Sequence, residues 1–216
     1  MAITSREAAY LKALEEAEEA FKKIHQDPSD WKSSKTTKHV KVWSKRSTLF
    51  PGYMHRIECI VNASLEEAYE RYMPSPLGSR LEWDKTIQLH ELLQTLEEGT
   101  FMYRAITHSQ LMGLIAAREF VYLLKVTRQL EDNYIMTSCI SIDHPSYPAK
   151  DNPVRGRNYP CGTYFTVLPE NQVKITNYYH VDLGGRLPQS VIDSSIPQIM
   201  ASTMELYYKA VQGGKK

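Results

Sequence analysis

Residues 119–142 read EFVYLLKVTRQLEDNYIMTSCISI. Its two halves, 119–129 and 133–142, are rich in the β-branched and aromatic residues that suit a pleated surface, and Glu131-Asp132 marks a tight turn between them. Two strands joined by so short a turn are antiparallel neighbours. The same reading extends outward in both directions. Runs at 87–96 and 100–107 flank the turn Glu98-Gly99, and runs at 162–168 and 172–183 lie downstream. Further upstream, HVKVW (39–43) and YMHRIECIV (53–61) alternate with a period of two and are split by Phe50-Pro51-Gly52. A loop rich in Pro and Gly is expected over 143–161.

Helical periodicity brackets this run of strands. In residues 5–25, Leu11, Leu14, Ala17 or Glu18, Phe21 and Ile24 or His25 recur at steps of three and four, with Ser5 as the expected N-cap. Asp27-Pro28-Ser29-Asp30 ends that helix. Ser64 opens a short helix, SLEEAYERYM, with Glu67 completing a capping box, and Pro74 and Pro76 close it. The last helix is predicted over 188–211, with Pro188 in its first turn and a stripe through Ile192, Ile196, Ile199 or Met200, Thr203 and Tyr207. Pro197 sits inside that stripe and is expected to kink it. The fold class is therefore α+β: one mostly antiparallel sheet of about nine strands, with an N-terminal and a C-terminal helix as its only long cover. A twisted sheet curling around a helix leaves a space that is either filled by side chains or holds a ligand.

Composition narrows the function. The chain has 216 residues, and no repeat or low-complexity linker divides them, so a single domain over 1–216 is expected. Basic residues number 26 against 25 acidic, a net charge of +1, which argues against a whole-domain nucleic-acid binder. The most apolar uncharged stretch is Leu111–Ala117, far short of the ~20 residues that span a bilayer. The charged N-terminus lacks a signal core, Ala2 excludes a myristoyl site, and the terminal GGKK is no prenyl box. Cys59, Cys139 and Cys161 are odd in number and widely spaced, which fits free thiols in a reducing cytoplasm.

Catalytic signatures are missing. There is no phosphate loop, GxGxxG, HExxH or GxSxG, and the seven histidines show no metal-ligand spacing. The expectation is a binding protein without catalytic residues, metal or cofactor. Two segments stand out instead. WKSSKTTKHVKVWSKR (31–46) carries five Lys and one Arg with no acid, and is either a solvated strand face or a patch for anionic lipid headgroups. SQLMGLIAA (109–117) is apolar where a loop between strands should be polar. It is either a strand end folded into the core or a loop that covers a cavity or dips into a membrane, and Gly113 favours a bend there.

One family joins these features. Trp31, Val42-Trp43, Phe50-Pro51-Gly52-Tyr53, Trp83-Asp84, Arg118-Glu119-Phe120-Val121, the block VRGRNYPCG (154–162) and the block DLGGRLPQS (182–190) occur in an order that resembles the START domain, the steroidogenic acute regulatory protein-related lipid-transfer domain. The likeness is to its small, soluble, sterol-carrying members and covers essentially the whole chain. It implies a helix-grip fold in which a curved sheet wraps the C-terminal helix around an internal tunnel for one lipid. Trp83, Ala105, Leu124, Ile192, Ile196 and Met200 would face that lipid. Ser109–Ala116 falls where the family has its omega loop, so Leu111 and Met112 would meet the membrane, together with Lys32, Lys35, Lys38 and Lys209. The buried Glu–Arg pair of some members is replaced here by Ala105 and Leu124. The polar contact must then come from Tyr103, Ser138, Tyr178, His180 or a water held by the Trp83-Asp84 turn. Phe120, Tyr122 and Leu124 should point one way, and Arg118 is expected to pair with Asp84. The implied function is a monomeric cytoplasmic carrier of a sterol or related hydrophobic lipid that docks transiently on anionic membranes and binds no nucleic acid. Bile-acid or carotenoid carriage, or lipid sensing, is the alternative, and a helix-grip enzyme comes last.

Overall fold

A computed structural model describes residues 4–213; the readings made on residues 1–3 and 214–216 lie outside the described residues. Helix α1 runs Ser5–Gln26, and its N-cap is Thr4 rather than Ser5. Thr4 is still extended, and its hydroxyl accepts from the Glu7 amide at 3.2 Å while the Glu7 carboxylate accepts from the Thr4 amide at 2.8 Å. This reciprocal box satisfies two of the donors that a helix start leaves open. Leu14, Ala17, Glu18 and Phe21 form the buried stripe of α1. Glu18 is tolerated there because Lys22 and Lys125 reach it at 3.0 and 2.8 Å.

The strands and remaining helices follow in chain order. They are β1 (Lys32–Thr36), β2 (Val40–Arg46), β3 (Tyr53–Asn62), α2 (Leu65–Tyr72), α3 (Arg80–Trp83), β4 (Ile87–Glu97), β5 (Thr100–Thr107), β6 (Arg118–Gln129) and β7 (Tyr134–Ser141). Then come β8 (Val154–Arg155), β9 (Arg157–Asn158), β10 (Cys161–Leu168), β11 (Gln172–Tyr179), β12 (Val181–Asp182) and α4 (Gln189–Gly213). Nine strands form one antiparallel path in the order β1-β2-β3-β11-β10-β7-β6-β5-β4, and β8 adds to β6 in parallel. The expected strand 172–183 is broken: β12 leaves the sheet to pair with β9 in a separate ribbon. Both β8 and β9 lie inside the segment read as loop, because two-residue strands carry no period to detect.

The sheet is covered on both faces. Helix α1 packs on β6, β7 and β10, and α4 packs on β1, β2 and β3. Alternation on β6 divides the two layers. Val121 and Leu123 join Leu14 of α1 in one core cluster, while Phe120, Tyr122 and Leu124 join Ile196, Met204 and Tyr207 of α4 in another. Double cover explains why Arg118–Leu124 is buried at every position, where an amphipathic strand would alternate. Gly162 on β10 lets α1 sit down: a Cβ there would lie 1.9 Å from the Thr137 carbonyl oxygen and 2.7 Å from the Phe21 ring. Helix α4 starts one residue after Pro188, and Pro197 is buried within it, so the Asp193 carbonyl loses the amide it would otherwise receive. The Tyr207 hydroxyl donates to the Ala68 carbonyl at 2.8 Å and ties α4 to α2.

Candidate functional site

Between the sheet and α4 lies a cavity of about 250 Å³. Its floor is the α4-facing side of the strands, including Ala105, Phe120, Tyr122, Leu124, Thr137 and Cys139. Its roof is α4, through Ile196, Ile199, Met200, Thr203 and Met204, and Trp83 of α3 closes one side. Phe120, Tyr122 and Leu124 all face this space, as their spacing of two requires.

Threonine, asparagine and glutamine side chains such as Thr137, Asn158, Gln110 and Asn177 are scattered through the wall, and three further polar features stand out. The first is Arg80, whose guanidinium pairs with Asp84 at 2.9 Å and lies over the rings of Tyr72 and Trp83. Asp84 also accepts from the Thr86 amide at 3.1 Å and its hydroxyl at 2.6 Å. Burial alone would raise the Asp84 pKa, but Arg80 and the Thr86 hydrogen bonds outweigh it and hold the carboxyl below its usual range. The expected Arg118–Asp84 pair therefore does not form, because Asp84 is already engaged by its neighbour one helical turn back.

Arg118 is the second feature. It donates instead to the backbone carbonyls of Ala116 at 2.6 Å, Leu183 at 2.8 Å and Gly184 at 3.3 Å. Among the described residues it makes no ion pair, and burial lowers its pKa. Arg118 thus staples the loop before β6 to the loop before α4.

The third feature is a side-chain pair, His90 of β4 and Tyr122 of β6. His90 Nε2 is hydrogen-bonded to the Tyr122 hydroxyl. His90 Nδ1 is buried and has no partner among the described residues. Burial and the nearby Arg80 push the His90 pKa down to about 3, so the imidazole is neutral. Burial drives the Tyr122 pKa well up, so the phenol is neutral as well.

Of the residues expected at the lipid, Trp83, Ala105, Leu124, Tyr178, Ile196 and Met200 line the cavity, and Tyr103, Ser138, His180 and Ile192 do not. Physical reasons separate them. The Tyr103 hydroxyl donates to the Ser75 carbonyl at 3.3 Å. Ser138 lies between Thr137 and Cys139 on β7, so alternation turns it toward α1. His180 is held by the Ser47 hydroxyl at 2.8 Å and the Pro160 carbonyl at 3.3 Å. Ile192 is half-buried against the core at the start of α4. Tyr178, though it borders the cavity, turns its ring to the α1 side against Phe21 and Trp31, and its hydroxyl meets His25 of α1 at 3.0 Å. Arg80, His90 and Tyr122 were not singled out as polar contacts. The alternation that placed Leu124 in the cavity was the available signal for Tyr122; His90 needed the β4–β5–β6 register.

The apolar loop adjoins the cavity. Gln110 and Ile115 exchange backbone hydrogen bonds of 2.8 and 3.1 Å, pinching a tip formed by residues 111–114. Both pinching residues line the cavity, while the tip points away from the core: Met112 is fully exposed, Leu114 58% and Leu111 41%. Leu111, Met112 and Gly113 all have left-handed backbone, with φ of 51°, 55° and 91°. Only Gly113 adopts this at no steric cost. In the basic segment, Lys45 is engaged by Asp27 at 2.6 Å, whereas Lys32, Lys35, Lys38 and Lys41 make no ion pair among the described residues. Lys32, Lys38 and Lys209 are exposed and Lys35 partly so.

Comparison with known proteins bears on all of this. The START domain family model matches residues 11–214. Human StAR-related lipid transfer protein 5 is 35% identical over 196 residues, covering 90% of this chain and 92% of that protein. Its solved structure superposes with a TM-score of 0.90 at 32% identity, covering 97% of this chain and all of the other. Human mitochondrial steroidogenic acute regulatory protein is 24% identical over 200 residues, 90% of this chain and 68% of that protein.

Proposed function

The chain belongs to the START domain family, and from that premise we propose that it carries one sterol or steroid-like lipid in its cavity and exchanges it between membranes. A lipid-binding and lipid-transfer role accords with relatives named for lipid transfer. The observation that carries the reading is the apolar cavity between sheet and α4, bordered by a loop whose exposed tip is apolar. A sterol-sized lipid would hide ~400 Å² of apolar surface, on the order of 10 kcal/mol gross at ~25 cal/mol/Å². A donor membrane offers nearly the same gain, so net transfer is close to neutral and the protein acts on the barrier. That barrier is exposure of the lipid to water. Seating Leu111, Met112 and Leu114 in the acyl boundary while Lys32, Lys35, Lys38 and Lys209 approach anionic headgroups would lower it.

Pro197 lends α4 the freedom to loosen the roof. At about 250 Å³ the cavity falls below the ~300–1,000 Å³ range of small-molecule sites, so part of its wall must yield to a sterol. The carrier acts as a monomer in the cytoplasm, with no nucleic-acid partner, cofactor or catalytic step. Among the described residues, no helix is long and apolar enough to cross a membrane. The test is native purification followed by mass spectrometry of co-eluting lipids, together with transfer of a fluorescent sterol between vesicles. One sterol-class lipid per chain and protein-dependent transfer are expected. Saturable binding with no acceleration of transfer would leave a lipid sensor instead.

A further inference from the structure

Two of the three cysteines face each other in the cavity wall. Cys139 of β7 and Cys161 of β10 are directly opposed partners in the antiparallel ladder, and their sulfurs stand 3.2 Å apart. Both residues line the cavity. Cys139 is also opposite Leu124 of β6, which fixes the pair to the face turned toward α4. Cys161 is buried, whereas Cys139 keeps accessible surface. With β6 and β10 on its flanks and α1 packed on the reverse face, that surface opens onto the cavity. Cys59, the third cysteine, lies on β3 in the core and does not line the cavity. Strand pairing already holds Cys139 and Cys161 at disulfide range. Opposed residues of an antiparallel pair have Cα atoms ~4.5 or ~5.5 Å apart, and both values fall inside the ~4.4–6.8 Å span of disulfides. The sulfurs need approach by only about 1 Å to reach a bond of ~2.05 Å.

We propose that Cys139 and Cys161 form a dithiol that reduces a hydroperoxide brought into the cavity on an apolar molecule, such as an oxidised lipid cargo. This rests on the carrier reading above and adds one chemical step to it. The Cys139 sulfur, the more accessible of the two, attacks the outer oxygen of the peroxide. The O–O bond breaks, the inner oxygen leaves with the Cys139 proton as an alcohol, and Cys139 becomes a sulfenic acid. The Cys161 sulfur then attacks the Cys139 sulfur, and the hydroxyl departs as water with the Cys161 proton. One hydroperoxide and two thiols thus give one alcohol, one water and one disulfide, and the sulfurs lose the two electrons that the peroxide gains. The hydrogen bond with Cys139, and then burial, push the Cys161 thiol pKa well up, so Cys161 keeps its proton for the second step. Buried, protonated thiols are poor targets for dilute oxidants in water. A hydroperoxide seated in the cavity meets Cys139 at a high effective concentration instead. Each chain is spent after one turnover until an outside thiol reduces it, so no catalytic cycle is involved.

The experiment exposes fully reduced wild-type protein to cholesterol 7-hydroperoxide or to hydrogen peroxide at equal concentration, with and without prior loading with cholesterol. The sterol hydroperoxide should remove two thiols per chain, yield one equivalent of sterol alcohol and give a peptide map joining Cys139 to Cys161. It should react at least ~10-fold faster than hydrogen peroxide, and preloaded cholesterol should suppress the difference. Cys161→Ser should stop at a sulfenic acid on Cys139, trapped by dimedone, and Cys139→Ser should leave the bound hydroperoxide intact. Unreacted thiols in protein that has bound the hydroperoxide, a disulfide to Cys59 or to a second chain, or equal rates with the two oxidants overturns the proposal. Separate titrations with cholesterol and with its hydroperoxide distinguish the two levels: failure to bind either sterol overturns the carrier reading, and this step falls with it.

Discussion

Met112→Asp separates membrane contact from ligand binding. Met112 is fully exposed at the loop tip, so its side chain contributes no burial to the folded state. Its φ of 55° is one that Asp tolerates better than Met. Stability should therefore change by no more than ~0.5 kcal/mol. In the acyl boundary the accounting differs. Burying a Met side chain contributes ~1.5–3 kcal/mol, and a carboxylate there forfeits that gain and adds a penalty. At ~1.4 kcal/mol per tenfold, loss of the apolar contact alone slows transfer ~10- to 150-fold if insertion occurs in the rate-limiting step. The assay is fluorescent-sterol transfer between neutral vesicles, which removes attraction and repulsion of headgroups from the comparison. Equilibrium binding of ligand from solution and the thermal midpoint serve as controls. Wild-type transfer with intact binding would refute insertion of the tip and leave the loop's exposure unexplained.

Other perturbations test the remaining parts. Changing Lys32, Lys35 and Lys38 together to Glu should slow transfer with anionic vesicles, leave neutral vesicles unaffected, and lose its effect in high salt, where screening acts within ~10 Å; equal slowing with both vesicle types would contradict an electrostatic role. Leu124→Arg places a charge in the cavity floor and should abolish lipid uptake while Leu124→Met retains it, measured by ligand titration; unchanged affinity in a folded Arg variant would mean that this side of β6 does not face cargo. Acid should weaken the fold through buried neutral histidines. Burial lowers the pKa of His55 to about 4, with His180 adding to the effect, and that of His90 to about 3. The unfolded chain takes up these protons near pH ~6.5 and the folded chain only much lower, so stability is full above that value and declines below it. Between pH 6.5 and 4.5 the loss is on the order of 2 kcal/mol per histidine, read from urea midpoints; a flat profile from pH 7 to 5 would contradict neutral burial.

The sequence was most legible where geometry repeats. Alternation along 119–129 placed Phe120, Tyr122 and Leu124 on one face, and the absence of alternation in 109–117 marked a segment that no strand could bury. What escaped depended on partners distant in sequence or on very short elements. The β9–β12 ribbon is two residues per strand. Asp84 turned out to serve Arg80, a neighbour four residues back, rather than Arg118. A hydroxyl or imidazole in a strand looks the same from sequence whether it faces cargo or a backbone carbonyl. Tyr103 and His180 met carbonyls, and His90 met the cavity because one intervening strand, β5, brings β4 into register with β6.

The layer beneath α1 has a consequence for how such a chain can diversify. Leu14, Met102, Val121, Leu123 and Ile142 close one core on the far side of the sheet, and Phe21, Met136, Tyr164 and Tyr178 another. These contacts hold the strands together without help from the cargo. Every second residue of the same strands is thereby relieved of much of the duty to stabilise the fold. Substitutions can then accumulate on the inner face while the outer face keeps the scaffold viable. A lineage built this way can explore new cargo one cavity residue at a time, without passing through an unfolded ancestor.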